Sequence, residues 1–469
     1  MQTLLTKYWL TLHIGLLLFV SWCRLSEPCA QGLVTLLWFS LMAVEAMVLL
    51  PSVRRNETLA DARVRVARAV VWDPFFYFGF SLLCVVLSQW LNSGCSLVYL
   101  ADADRWQFSE PPVSWLPYSV EPAAALTYVS LFAACVVGGV ILRQGVSKSA
   151  KRGLLQAASA LSGVIAFYMV WQASLGVEPY AGIARAPNAC APGSFFGFWL
   201  VVGMGAYVDA LTRSQRGAEA LFLLAFLGNL LGMLFFASAP ALVVYAVIAL
   251  LLAVYWLVYL NANVPKHVQL KLFMVLLVVI VSVTLALVYV FPENPVAAKV
   301  KSFSALEQFW GNLSATKQVR TSAALELWKE HPWGGVGADG FRHYLGTVIK
   351  AKDWPLVKAD QAFVYNDCLQ FLCEFGSLGA GLLIAAVITL MVPICYRARL
   401  AWRIDVTDVN AGRVFLLRIS PLVVTGVLAT TLCFLESWIA NPFRSPALLL
   451  SWVLVMAMVP AFLPAKATV

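Results

Sequence analysis

Charge is what this chain has least of. Only 12% of its 469 residues are Asp, Glu, Lys or Arg, while 61% are hydrophobic. That is about half the charge of an ordinary soluble domain, and with a mean hydropathy of +0.80 it excludes a soluble globular fold. The ten cysteines include no Cys-x-x-Cys pair, and with only four histidines the chain has no Cys/His spacing suited to a metal. No metal site or dithiol redox centre is therefore expected, and the cysteines read as small apolar packing residues. A disulfide between two of Cys23, Cys29, Cys95 and Cys190 stays open, with no pairing readable. Glycine loops are present, but none is followed by Lys-Ser or Lys-Thr, so no P-loop is expected. No internal repeat is visible, which speaks against an inverted-repeat transporter.

What is present is a succession of apolar segments. Twelve can be counted, at about 9–22, 33–50, 75–91, 123–142, 154–171, 195–211, 220–237, 241–260, 270–291, 377–395, 414–435 and 447–462. Each is near the roughly 20 residues that a helix needs to cross the hydrocarbon. The first has Cys23, Arg24 and Glu27 in place of a small-residue cleavage site, so it reads as a retained helix rather than a signal peptide. Asp73-Pro74 reads as a helix start, with Asp73 the N-cap and proline in the first turn. The charged residues within or beside spans, Glu45, Asp209, Arg418 and Glu436, lie near span ends, where they are expected to snorkel to the interface. A proton-driven carrier would place a carboxylate nearer the middle.

Basic residues set the orientation. With the N-terminus inside, five loops carry seventeen of them: Arg54, Arg55, Arg63, Arg65 and Arg68; Arg143, Lys148, Lys151 and Arg152; Arg213 and Arg216; Lys266 and Lys271; Arg397, Arg399, Arg403 and Arg413. The short outer loops hold only Arg24, Arg105, Arg185 and Arg444. This asymmetry accounts for the net charge of +9 through topology, leaving no reason to expect a nucleic-acid partner. It predicts an all-α polytopic membrane protein of about twelve transmembrane helices with both termini cytoplasmic. Residues 1–291 hold nine spans, 292–376 form one large outer loop, and 377–469 hold the last three.

The long loop is the one substantial investment in polar, aromatic and glycine-containing sequence, so function is expected there. Helical spacing appears at Ala305–Trp310 and again at Thr321–Lys329, with Arg320 opening the second helix and Pro332 ending it. Gly334, Gly335, Gly337 and Gly340 then predict a tight turn before a helix near 341–348. From Ala362 an amphipathic helix should lead toward the tenth span.

Two outer arginines are the first candidates for chemistry, because the guanidinium fork suits phosphate oxygens. Arg185 precedes the sixth span at headgroup depth; it either grips a phosphate or simply touches lipid headgroups. Arg320, at an expected helix start, either meets an anionic ligand or pairs with Glu326 or Glu330. Tyr365, Asn366 and Asp367 are candidates to position a sugar hydroxyl, as base or orienter; for Asn366 or Asp367 the alternative is capping the helix that follows. His343 is a reserve base, and His331 the only other outer histidine.

Three motifs in order carry a resemblance. Arg185 with Pro187-Asn188 resembles an outer-loop arginine before a span, and Arg320 with Pro332, Gly335 and Gly337 resembles an arginine helix ending in Pro-x-x-Gly-x-Gly. Asn366, Leu369, Gln370, Glu374, Gly376 and Gly379 resemble an Asn-x-x-Leu-Gln…Glu-x-Gly-x-x-Gly segment. Together they are similar to the O-antigen ligase and polymerase family of polytopic glycosyltransferases. The motifs cover about fifty residues, and Tyr365 stands where the family's ligases have a histidine.

The resemblance implies a metal-independent enzyme of the bacterial inner membrane, without cofactor, its site facing the periplasm. It implies transfer of a glycan from a polyprenyl-pyrophosphate-linked donor to a lipid-core sugar or growing glycan among membrane lipids. Arg185 and Arg320 would hold the pyrophosphate, and Tyr365, Asn366 and Asp367 would place the acceptor. A transporter or flippase of a lipid-linked glycan, or a catalytically silent relative, remains the alternative.

Overall fold

The computed structural model describes residues 57–100, 105–175, 191–213, 218–263, 306–349, 363–405 and 419–463, and scattered positions at 36–43, 266–281, 353 and 357. The first, second and ninth expected spans lie outside the continuously described residues. Among the described residues the helices in chain order are α1 (Leu59–Val71), α2 (Pro74–Leu91), α3 (Pro122–Gln144), α4 (Lys148–Ser174), α5 (Ala191–Thr212), α6 (Ala218–Phe236), α7 (Ala239–Asn263), α8 (Leu306–Glu330), α9 (Gly340–Val348), α10 (Asp367–Asp405), α11 (Pro421–Glu436) and α12 (Pro446–Met458). Short 3-10 turns at Pro442–Arg444 and Val459–Phe462 flank α12. One antiparallel hairpin, β1 (Leu97–Leu100) on β2 (Arg105–Phe108), is added to an otherwise helical fold, in the connection between α2 and α3.

Six of these helices contain segments long and apolar enough to cross a membrane: Pro74–Leu91, Pro122–Gln144, Lys148–Ser174, Pro192–Thr212, Ala241–Asn261 and Asp367–Leu400. Three shorter apolar stretches, Leu223–Phe236, Pro421–Glu436 and Pro446–Phe462, pack with them. The protein is thus an α-helical membrane protein. α12 is buried along its whole length in the middle of the bundle, whereas α7 turns Val247, Leu250, Val254 and Leu257 outward, the stripe a helix shows to lipid.

The helix starts follow local chemistry. As expected, Asp73 caps α2, its carboxylate accepting from the Phe75 amide at 3.1 Å, with Pro74 in the first turn. The same carboxylate also meets Arg143 at 3.3 Å and accepts from Gln144 at 3.1 Å, tying α2 to the end of α3. Ser147 caps α4 by accepting from the Ala150 amide at 3.3 Å.

Three expectations need correction. The loop was expected to hold two short helices opening and closing apart; the structure joins them as the single 25-residue α8. Arg320 therefore lies in the body of that helix rather than at its start. The physical reason is packing, since Ala323, Ala324 and Leu327 bury one face of α8 against Phe341, Val364 and Cys373, which outweighs the weak helix formers Gly311, Asn312 and Ser314. Glu436 does not snorkel but is 1% exposed. Its Oε1 accepts from the hydroxyls of Ser194 at 2.7 Å and Tyr245 at 3.1 Å inside the bundle, while its Oε2 is buried without a protein hydrogen-bond partner. Asp209 is likewise buried, paired with Arg152 at 2.6 Å and Arg213 at 3.2 Å.

The bundle has two unlike ends. At one, the starts of α2 and α4 meet the ends of α3, α5 and α10, and basic residues mark the start of α4 and those three ends. At the other, the ends of α2, α8 and α11 meet the starts of α3, α5 and α10, with the hairpin, α9 and the 437–445 turn forming a polar layer. Cys95, in this layer, is a free thiol; Cys23, Cys29 and Cys190 lie outside the described residues.

Candidate functional site

The polar layer is built on two backbone turns that lock together. After α8 ends, Gly335 and Gly337 take φ of +70° and +88°, and α10 is interrupted at Gly376 with φ +65°. The Val336 amide donates to the Cys373 carbonyl at 3.0 Å and the Gly337 amide to that of Glu374 at 2.9 Å. In return, the Ser377 amide donates to the Pro332 carbonyl at 2.8 Å. Two glycine motifs some forty positions apart are therefore one structural unit. A Cβ on Gly376 would stand 2.1 Å from the Trp333 carbonyl oxygen, and one on Gly335 2.5 Å from the Glu374 backbone. Gln89 of α2 pins the unit from below, its amide donating to the carbonyls of Gly334 and Glu374, both at 3.0 Å. Gly376, with ψ −176°, is in a backbone region that essentially only glycine adopts, so Gly376→Ala is expected to lower stability by more than the roughly 1–3 kcal/mol of that strain, because the backbones must also separate. A thermal unfolding midpoint unchanged from the wild type would contradict that geometry.

Beneath this lock runs a buried ionic chain. The Val364 amide donates to Gln370 at 3.3 Å, and Gln370 donates to the Glu374 carboxylate at 3.0 Å. Glu374, 1% exposed, forms a salt bridge with Arg444, which also donates to the Tyr128 hydroxyl and lies 3.6 Å from Asp339. Burial works against the Arg444 charge, but Glu374 foremost, then Tyr128 and Asp339, more than offset it and hold the guanidinium firmly protonated. Asp367 is stapled to the 437–445 turn. Its carboxylate accepts from the Phe443 amide at 3.0 Å, and its own amide donates to the Ser437 carbonyl at 3.1 Å. Asn366 caps α10 by accepting from the Leu369 amide at 3.1 Å. Asn366 thus makes the cap, whereas the Asp367 carboxylate ties the start of α10 to the 437–445 turn instead of capping the helix.

Arg320 and Tyr365 form the other half of the layer. Arg320 is 2% exposed; it donates to the Phe363 carbonyl at 2.9 Å, and its guanidinium carbon lies 4.9 Å from the centre of the Tyr365 ring. Arg444 lies 5.7 Å from the Phe363 ring, so two guanidinium groups bracket the 363–365 segment. Tyr365 has φ +56°, a conformation that costs a non-glycine residue about 1–3 kcal/mol and gathers at functional sites. Lys317, one turn before Arg320 on α8, donates to the Trp438 carbonyl and closes the layer from the other side.

The remaining candidates fall elsewhere. Arg185, Pro187 and Asn188 lie outside the described residues. His343, on α9, stands 3.6 Å from Glu121 at the start of α3. His331 meets the Tyr118 hydroxyl at 3.5 Å, and Tyr118 shares a 2.9 Å hydrogen bond with Tyr344. Burial lowers the His331 pKa and pushes the Tyr118 phenol up to about 12, so this trio is uncharged at neutral pH and acts as an aromatic prop under the turn. Among the described residues no three His, Cys, Asp or Glu side chains are grouped to hold a metal ion.

The residue that sequence reasoning missed is Arg444. It stands among the four arginines of the short outer loops, and its guanidinium fork suits phosphate oxygens as well as those of Arg185 and Arg320 do. In the same layer Asp367 Oδ1, Glu374 Oε2 and both polar atoms of the Asn441 amide are buried with no protein hydrogen-bond partner. Such a concentration is exceptional in a folded interior. Fold and site together define a helical membrane protein with a buried, doubly cationic polar layer at one end of its bundle. No protein-family profile and no curated protein sequence matches the chain.

Proposed function

We propose that this protein is a glycosyltransferase of the O-antigen ligase or polymerase type, working at the outer face of a bacterial inner membrane. The observation that carries the reading is the meeting of Arg320 with Tyr365. A buried guanidinium faces a strained aromatic residue at the position where the resemblance places the acceptor-activating group. The locked glycine turns support it, since they hold the arginine helix against the segment that carries Tyr365.

In this reading Arg320, with Arg185, holds the diphosphate of a polyprenyl-linked glycan. The acceptor hydroxyl oxygen attacks the anomeric carbon while the bond from that carbon to the phosphate oxygen breaks. The polyprenyl diphosphate leaves with the electron pair, and the hydroxyl proton passes through the Tyr365 hydroxyl to solvent. Positive charge fixed where the leaving group's negative charge grows lowers the barrier without reorganisation. Asp367 and Asn366, engaged in backbone contacts, shape the acceptor site rather than touch the acceptor, and Arg444 holds the layer together. The twelve-span topology with cytoplasmic termini belongs to the same proposal.

Two measurements test it. Purified protein in lipid nanodiscs, given a polyprenyl-pyrophosphate-linked glycan and a lipid-core or glycan acceptor, should form a new glycosidic product. Movement of the lipid-linked glycan across a bilayer without product would assign a carrier instead. For orientation, in a chain whose ten cysteines are all replaced by serine, Trp333→Cys should react with a membrane-impermeant maleimide in intact spheroplasts. Ser149→Cys should react only after permeabilisation, and the reverse pattern would put the site in the cytoplasm.

A further inference from the structure

The basic end of the bundle gathers more positive charge than its own carboxylates neutralise. Asp209 is shared by Arg152 at 2.6 Å and Arg213 at 3.2 Å, and Asp73 meets Arg143 at 3.3 Å. Lys148, Lys151 and Arg397 complete the group. Lys148 lies within the fields of Arg152, Arg213 and Arg397, and Lys151 within those of Arg397 and Arg143. Among the described residues, six cations from four helices thus face two carboxylates.

Two features make this more than the usual basic end of a membrane bundle. Lys151 is 5% exposed, and its ammonium, which carries three donors, gives one to the Arg143 carbonyl at 3.2 Å. A buried charge met only by a carbonyl is costly unless an anion joins it. Lys148 and Lys151 also sit in the first turn of α4, where the helix dipole and unpaired backbone amides already repel cations and attract anions. Side chains and backbone therefore ask for the same thing.

The neighbouring α1 identifies the occupant. Its Ala62 and Val66 are buried, while Val64, Val71 and the following Trp72 are 59%, 55% and 79% exposed. Arg63, Arg65 and Arg68 lie between them, which is the pattern of a helix resting in the headgroup region. This helix packs against α3, whose end carries Arg143, so the cationic cluster lies beside it at the same end of the bundle.

We propose that the cationic cluster at the start of α4 and the ends of α3, α5 and α10 is a binding site for the phosphate of an anionic phospholipid headgroup. Lys151 and Lys148 would contact the phosphate oxygens, with Arg143 and Arg152 held in place by their carboxylates. Nothing in this depends on the chemistry at the opposite end of the bundle.

The test is retention of lipid by the purified full-length protein, read by native mass spectrometry after exchange against vesicles of phosphatidylcholine with or without phosphatidylglycerol. Phosphatidylglycerol should be retained in preference. Lys148→Gln, at an exposed position that leaves folding intact, should weaken retention about fivefold, the effect of one basic residue near an anionic surface. Lys151→Gln should weaken it at least as much, and Lys329→Gln, at the other end, should not. Equal retention of both lipids, or no change in Lys148→Gln and Lys151→Gln, overturns the proposal. Displacement of the lipid by millimolar inorganic phosphate would keep the anion site but reject the headgroup as its source.

Discussion

Arg444→Met is expected to destabilise the protein by about 3–5 kcal/mol, the cost of stranding one partner of a buried ion pair. The substitution keeps most of the side-chain volume, so the loss falls on Glu374, which is 1% exposed and would keep only the amide of Gln370. The Tyr128 hydroxyl and Asp339 lose the same guanidinium. The double variant Arg444→Met/Glu374→Gln should recover most of the loss. It removes both charges, and the new amide oxygen can still accept from Gln370. Unfolding midpoints in detergent for the single and double variants read the difference directly. A single variant within about 1 kcal/mol of wild type, as for an exposed pair, would mean that solvent reaches Glu374.

The same arginine shows where sequence reasoning stops. Apolar segments of spanning length are legible one by one, because each reports only its own solvent; the Asp73-Pro74 start and the helix near 341–348 are legible because capping and turn chemistry are local. The buried layer is different in kind. Arg444 and Glu374 are seventy positions apart, and nothing local distinguishes Arg444 from an arginine resting among lipid headgroups. The glycines of 334–340 announced a turn, but not that its partner is the kink at Gly376, since that follows from two backbones meeting. Continuity of α8 through Gly311 and Asn312 was hidden for the opposite reason. Their local preference is against helix, and burial of Ala323, Ala324 and Leu327 overrules it. The polar residues of the third motif were legible as polar but left two roles open, because a carboxylate that staples a turn and one that binds a sugar hydroxyl look identical in one dimension.

The largest effect on activity is expected at Arg320. Arg320→Met, which fills the space without the charge, should lower kcat for glycan transfer by about 10²–10³, the loss found when a donor aimed at developing negative charge is removed. Arg320→Lys should fall between, since it restores the charge but not the planar fork that reaches two oxygens at once. Arg320→Met also leaves the Phe363 carbonyl without its 2.9 Å donor, a cost of about 1–3 kcal/mol to stability. Rates must therefore be compared below the unfolding midpoint of each variant. Tyr365→Phe separates the ring from the hydroxyl: the face that packs under Arg320 at 4.9 Å is kept, and only the group placed near the acceptor is lost. A fall in kcat with Tyr365→Phe, restored by Tyr365→His, would give the hydroxyl the role of carrying the acceptor proton. Folded Arg320→Met that transfers glycan at the wild-type rate would remove the diphosphate from this layer and leave Arg320 as a strut beneath the 363–365 segment.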